Sequence, residues 1–167
     1  RYERITSHSF YMAGVLSDIS PDVTDYIEKL ENSESKKYLD FVERCLSSRK
    51  VFNFDDAAKG SFVICSVGQD DIKKFDLSED DYWAGNVVSH MIKSVIGYNV
   101  TAMLIEKNPN DVKVSLRTRD SDKFDVSKVA LALGGGGHKA ASGASMKMPI
   151  DEAIEKMAET IKEVLGK

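Results

Sequence analysis

The spacing of apolar residues divides the chain into a helical first part and a mixed second part. Apolar positions recur at helical intervals from Ser9 to Ile19, and similar spacing returns shortly afterwards. From Lys50 onward, short runs rich in β-branched and aromatic residues alternate with helical patterns. The pattern therefore predicts a helical tail and linker over residues 1–47 and one domain over residues 48–167.

The second part interleaves strands with helices. The pattern predicts strands over residues 51–54, 61–67, 99–106, 112–117 and 144–148. It predicts helices over residues 69–75, 78–96, 124–133 and 149–165. This order is typical of an α/β (α+β) fold, in which helices flank a mixed β-sheet, here preceded by the helical linker.

Length and composition fit one cytoplasmic domain with some additional chain. The sequence has 167 residues, of which 42% are apolar and 30% charged, enough for a packed core. The longest apolar runs are far too short to span a membrane, and no signal peptide opens the chain. Two cysteines suggest reduced core thiols rather than a disulfide framework. Because the first residue is Arg, we expect an internal fragment of a longer protein.

The charge is unevenly distributed. The net charge of -4 argues against a protein that coats long DNA. Residues 112–147, however, hold seven Lys or Arg against three Asp, which makes this segment +4. The same segment contains the most unusual residues of the sequence.

Four glycines followed by His138 and Lys139 form the strongest motif. Glycine permits positive φ and lets a ligand approach the backbone, and successive free amides can form an anion-binding nest. His138 adds a hydrogen-bond donor beside the nest, and the small residues 140–143 would keep space clear. A phosphate is the natural guest, and a flexible glycine hinge with a solvent-facing histidine is the alternative.

A second motif lies on the strand predicted over residues 112–117. Side chains two residues apart share a face of a strand, so Ser115, Arg117 and Arg119 would point the same way. The guanidinium of arginine matches phosphate oxygens or stacks on a base. A solvated edge strand is the alternative explanation.

Together these residues resemble a known family. The order is Val-Ser-Leu-Arg-Thr at residues 114–118, a helix beginning near Phe124, and Gly-Gly-Gly-Gly-His-Lys-Ala-Ala-Ser-Gly at residues 134–143. This order closely resembles the DHH-associated C-terminal domain of the DHH phosphoesterases, of the nanoRNase, pAp phosphatase and RecJ-like type. The resemblance covers roughly residues 50–167, and Ser142 replaces an alanine common in the family. Residues 1–47 resemble the tail of the catalytic DHH domain and the linker helices that follow it.

The resemblance implies a substrate-binding role. Such enzymes are manganese-dependent and hold two metal ions on an Asp and His cluster in a separate catalytic half. This sequence contains no Asp-His-His, and its histidines are His8, His90 and His138. We therefore expect no catalytic residue, metal ligand or hydrolysis in this chain. The implied phosphate-binding set is Ser115, Arg117, Gly135, Gly136, Gly137, His138 and Lys139.

The expected partners are short RNA or DNA oligonucleotides or nucleotide phosphates such as 3'-phosphoadenosine 5'-phosphate, and not a membrane. The sequence leaves open whether the chain forms a homodimer. The main alternative is a non-catalytic nucleic-acid module, like the related domain of alanyl-tRNA synthetases that contacts tRNA. An inorganic polyphosphatase is a weaker alternative, since that branch carries a different C-terminal domain.

Overall fold

The computed structural model describes residues 6–20, 22, 25, 28, 35–78 and 84–167. The chain divides into two compact units, Arg1–Ser35 and Lys36–Lys167. In the first unit, helix α1 (Ser7–Ile19) begins at a reciprocal cap. The Thr6 hydroxyl accepts from the Ser9 amide at 3.3 Å, and the Ser9 hydroxyl accepts from the Thr6 amide at 3.2 Å. The second helix predicted between Val23 and Leu30 lies mostly outside the described residues.

The second unit contains six strands and five helices among its described residues. The strands are β1 (Lys50–Asn53), β2 (Ser61–Val67), β3 (Tyr98–Asn108), β4 (Asp111–Thr118), β5 (Gly136–His138) and β6 (Ala141–Met146). The helices are α2 (Lys36–Ser47), α3 (Gln69–Lys74), α4 (Ala84–Lys93), α5 (Val126–Ala132) and α6 (Ile150–Leu165). A 3-10 turn, Ala57–Lys59, connects β1 to β2. The α/β (α+β) fold class predicted from the sequence is confirmed.

The six strands form one mixed sheet in the order β1-β2-β3-β4-β6-β5. Only β2 and β3 run parallel, joined through α3 and α4, and the other neighbours pair antiparallel. Strand β6 therefore lies between β4 and β5. This order brings the arginine strand and the glycine segment to the same half of the sheet.

Helices cover the two faces of the sheet unequally. Alternating residues of β2 point to opposite faces, so Phe62 and Ile64 join one apolar cluster while Val63 and Cys65 join the other. The first cluster includes residues of β2, β3, β4 and β6 and is covered by α5 and α6. The second cluster is covered by α2 and α4, and its buried strand residues come only from β2 and β3 within the described chain.

Helix α2 packs into the second unit. Its Phe41 and Cys45 are fully buried against β2 and α4, so the compact unit begins at Lys36 rather than at residue 48. The two cysteines are free, as predicted. Burial raises the pKa of the Cys65 thiol to about 12 and raises that of Cys45 further.

Near the glycine run, the sequence pattern misplaced the bounds of one strand and missed another strand. Strand β6 runs from Ala141 to Met146, earlier than the predicted 144–148. Strand β5 was not predicted, because three residues of the sequence Gly-Gly-His carry no hydrophobic alternation. Trp83 and the acidic pair Asp80-Asp81 lie outside the described residues. In the described part of the chain, no helix is long and apolar enough to span a membrane.

Candidate functional site

The sheet register places Arg117 and His138 in one cross-strand row. Arg117 of β4 pairs with Ala141 of β6, and Ala141 pairs with His138 of β5. Directly paired residues of antiparallel strands point to the same face. Since strands are roughly 4.8 Å apart, the Arg117 and His138 backbones are about 10 Å apart across Ala141. We call these three residues the Arg117 row.

A parallel row begins at Ser115. Ser115 pairs with Gly143, and Gly143 pairs with Gly136. These three residues, the Ser115 row, point to the same face as the Arg117 row because they lie two residues away along each strand. Four of the predicted site residues, Ser115, Arg117, Gly136 and His138, therefore share one face.

On this face, among the described residues, the apolar cluster under α2 and α4 does not extend over β6 and β5, although α4 also contacts β4. This is the face on which α2 and α4 cover β2 and β3, but their cluster takes no buried residue from β4, β5 or β6 among the residues described. The central members of the rows, Ala141 and Gly143, are small and only half-buried. His138 is exposed. We call the part of this face that lies over the two rows, with Arg117 and His138 at its edges, the open face.

Arg117 occupies the inner edge of the open face. It is half-buried, and its guanidinium donates to the Leu116 carbonyl at 2.9 Å. Desolvation lowers the pKa of Arg117 from its usual value, but arginine still keeps its charge at neutral pH. Across β3, its pairing partner Thr101 is fully buried, and the Thr101 hydroxyl has no hydrogen-bond partner among the described residues. A partly desolvated guanidinium binds an anion more strongly than one in bulk water.

The glycine run does not form the predicted nest of successive free amides. The Gly134 amide donates to the Leu131 carbonyl at 3.0 Å and the Gly135 amide to the Ala130 carbonyl at 2.8 Å, which closes the end of α5. The following residues continue as strand β5. The amides of the first two glycines therefore belong to a helix cap and cannot be part of the predicted nest.

The glycines differ in the space around them. A Cβ on Gly135 would lie 2.1 Å from the Gly143 carbonyl oxygen, and one on Gly137 would lie 2.6 Å from the Ser142 Cα. A Cβ on Gly136 would meet nothing within 4 Å. Gly135 and Gly137 thus let β5 pack closely on β6, whereas Gly136 opens onto the face.

Lys139 is separate from the two rows. It lies in the turn between β5 and β6, where its carbonyl accepts from the Val126 amide at 3.1 Å. Its side chain is exposed. Lys139 therefore contacts the start of α5 through its backbone, and its part in phosphate binding stays a prediction.

Ser142 points to the covered face. Its hydroxyl is buried and donates to the Val126 carbonyl at 2.7 Å, which ties β6 to α5. The residue that departs from the family pattern is thus satisfied inside the fold, away from the open face.

Lys113 lies on the open face, although the predicted site omitted it. It precedes Ser115 by two residues on β4 and pairs with Ser145. Its ammonium group donates to the Ser145 hydroxyl at 2.8 Å. The alternation that grouped Ser115 with Arg117 includes Lys113 equally, so the sequence contained the signal.

Acidic residues do not build a metal site in the described part of the chain. No group of three or more His, Cys, Asp or Glu there could hold a metal ion. Asp56 instead caps the 3-10 turn through the Ala58 amide, and Asp71 pairs with Arg44 at 2.5 Å. His8 and His90 are both exposed. The described residues therefore do not fit the two-metal cluster that the resemblance implies.

Comparison with known proteins identifies relatives of this chain. Residues 60–167 match the model of the DHHA1 domain. Over 76 residues the chain is 38% identical to the bifunctional oligoribonuclease and PAP phosphatase NrnA of Thermus thermophilus, a match that covers 45% of this chain and 22% of that protein.

A solved structure shares the fold. The exopolyphosphatase-related protein from Bacteroides fragilis superposes with a TM-score of 0.75 at 24% identity, over 98% of this chain and 46% of that one. The chain spans less than half the length of both relatives.

Proposed function

Because the chain belongs to the DHHA1 domain family of the DHH phosphoesterases, we propose that its open face binds the phosphate of a short oligonucleotide or of 3'-phosphoadenosine 5'-phosphate. The NrnA relative is named for both kinds of substrate. The observation that carries the proposal is the Arg117 row, which places a guanidinium and an imidazole on either side of Ala141.

Each side chain of the two rows has a distinct part in this proposal. Arg117 supplies a charged planar fork that can donate two hydrogen bonds to phosphate oxygens. His138 donates from the opposite edge, and Ser115 adds a hydroxyl from the neighbouring row. Gly136 allows the phosphate to approach the β5 backbone, because no side chain stands there.

We further propose that the whole protein is a manganese-dependent phosphodiesterase or phosphatase whose metal ligands lie outside the described residues. When bound, such metal ions supply an activated water and stabilise charge on the phosphoryl oxygens. The residues of this chain would bind the phosphate and fix its orientation. On this proposal the chain alone binds nucleotides and does not hydrolyse them.

A titration of the chain with 3'-phosphoadenosine 5'-phosphate, followed by NMR, tests the proposal. We expect shifts at Gly136, His138 and Arg117, and we expect Arg117→Ala and His138→Ala each to weaken binding by about tenfold, or about 1.4 kcal/mol. Lys128→Ala is the matched control, since Lys128 is an exposed cation on α5. Equal affinity in the wild type, R117A and H138A would contradict the assignment.

In the intact protein the same two variants should slow hydrolysis of short RNA while the protein stays folded. The tRNA-binding alternative makes a different prediction for the chain. It expects tRNA to bind more tightly than a dinucleotide, and it expects the affinity to be insensitive to H138A. Measuring both ligands on the same variants distinguishes the two functions.

A further inference from the structure

The open face continues past the two rows toward the start of β4. The next pair along β4 and β6 is Lys113 with Ser145, both exposed. Strand β5 pairs only with residues 141–143 of β6, so it ends before reaching Ser145. A shallow surface cavity of about 410 Å³, wide open to solvent, lies at this point. It is lined by Lys113, Val114, Gly134, Gly135, Gly143, Ala144 and Ser145.

The lining of this cavity suits an anion. It includes one cation, one hydroxyl and three glycines, and it includes no carboxylate. The Lys113 ammonium is fixed over the cavity by its hydrogen bond to the Ser145 hydroxyl at 2.8 Å. That bond uses one of the three ammonium donors, so two stay available to a ligand.

In the structure, Arg117 and Lys113 hold separate positions along β4. The two residues are four positions apart on β4, which separates their backbones by about 13 Å. Each side chain is also bonded within its own part of the strand, Arg117 to the Leu116 carbonyl and Lys113 to Ser145. We therefore expect a ligand that engages both in these positions to carry two anionic groups joined by a spacer.

The next pair along the strands closes the open face. Asp111 forms an ion pair with Lys147 at 2.9 Å, and these side chains follow Lys113 and Ser145 at the end of β4. The pKa of the Asp111 carboxyl is lowered, chiefly by Lys147 and to a smaller extent by Lys113. A carboxylate at this place repels a further phosphate, so the anionic part of a ligand should end at Lys113.

We propose that Lys113, Ser145 and the adjoining cavity form a second phosphate subsite, which selects ligands with two phosphates along one strand of nucleic acid. This inference rests on the proposed function of the Arg117 row. It identifies the preferred ligand as one with two phosphates joined by a nucleoside, such as a 5'-phosphorylated dinucleotide, rather than a nucleoside monophosphate. The first phosphate is bound at the Arg117 row and the second at Lys113.

The test compares two ligands on four forms of the full chain. Adenosine 5'-monophosphate carries one phosphate and a 5'-phosphorylated adenosine dinucleotide carries two. Calorimetry gives the affinity of each for the wild type, Lys113→Ala, Arg117→Ala and the control Lys128→Ala. Lys113 is exposed, so its replacement should leave the fold intact, and circular dichroism checks this.

We expect K113A to weaken dinucleotide binding about tenfold, or about 1.4 kcal/mol, and to leave monophosphate binding within about twofold. Arg117→Ala should weaken the binding of both ligands. The logarithm of the dinucleotide association constant falls linearly with the logarithm of the salt concentration. In K113A this slope should become shallower by about one, because one cation–phosphate contact is lost.

Other results would overturn the subsite. Equal losses for both ligands in K113A, or no loss for either, would show that Lys113 does not contact a second phosphate. If the wild type binds the monophosphate through Arg117 but binds the dinucleotide no more tightly, the subsite fails while the proposed function stands. If the wild type binds neither ligand, the proposed function fails and the subsite with it.

Discussion

Arg117 and His138 lie at opposite ends of one cross-strand row, and within that row Ala141 stands between them. The two polar groups come from segments of sequence that are about twenty residues apart. They meet because β6 inserts between β4 and β5, so the size of residue 141 controls the space between them.

Replacing Ala141 by Leu should therefore weaken phosphate binding without removing any polar group. The larger side chain would occupy the space between Arg117 and His138, since it points to the same open face. We expect the affinity for 3'-phosphoadenosine 5'-phosphate to fall by about tenfold or more, or about 1.4 kcal/mol or more. Ala141→Ser is the control and should bind normally, because the hydroxyl adds little volume. Wild-type affinity in A141L would show that phosphate binds elsewhere.

Substitutions in the glycine run should separate stability from binding. Gly135→Ala and Gly137→Ala push a methyl group into the backbone of β6, and Gly137 also has a φ of 139°. We expect each to lower the free energy of unfolding by about 1–3 kcal/mol, measured by urea denaturation. Gly136→Ala meets nothing within 4 Å and should change stability by less than about 1 kcal/mol.

G136A should nevertheless weaken nucleotide binding, because its methyl group would stand on the open face beside His138. If G136A binds the nucleotide as tightly as the wild type, the glycine run has only a structural role. A G136A variant as unstable as G135A would contradict the packing described for β5.

The sequence could predict the Arg117 side of the site more fully than the glycine side. Alternation along β4 places Ser115 and Arg117 on one face because apolar residues fill the other, namely Val112, Val114 and Leu116. The glycine run offers no such alternation, so its division into a helix cap and a strand depends on contacts with β6. The pairing of β4 with β6 is likewise a tertiary property, and it alone brings His138 near Arg117.

The residue that departs from the family pattern should matter for stability and not for binding. The Ser142 hydroxyl donates to the Val126 carbonyl at 2.7 Å on the covered face. Ser142→Ala should lower the free energy of unfolding by about 1 kcal/mol, the net value of one buried hydrogen bond. Ser145→Ala, at an exposed position of the same strand, should change it by less than about 0.5 kcal/mol. A weaker nucleotide affinity in S142A would contradict the position of the Ser142 side chain on the covered face.

The cap at the N-terminus of α5 should make the free energy of unfolding depend on pH in the acid range. Asp125 caps this helix, and its carboxylate accepts from the Ser127 hydroxyl at 2.5 Å and from the Ser127 amide at 3.1 Å. The hydrogen bond from the Ser127 hydroxyl is the largest cause that lowers the pKa of Asp125, and the Ser127 amide also contributes. A lowered pKa in the folded state means that the stabilisation is complete above the unfolded value of about 3.9 and is lost as the pH falls through the folded value.

Urea denaturation from pH 7 to pH 2 on the wild type, Asp125→Ala and Asp125→Asn tests this dependence. D125A should be about 1 kcal/mol less stable than the wild type at pH 7, and the difference should shrink below about pH 4 as the wild-type carboxylate becomes protonated. D125N keeps an oxygen that can cap the helix but carries no charge, so it should stay close to the wild type at pH 7. At acid pH it should lose less stability than the wild type, because its cap does not titrate. A constant difference between the wild type and D125A over the whole pH range would show that the cap does not depend on the charge of Asp125.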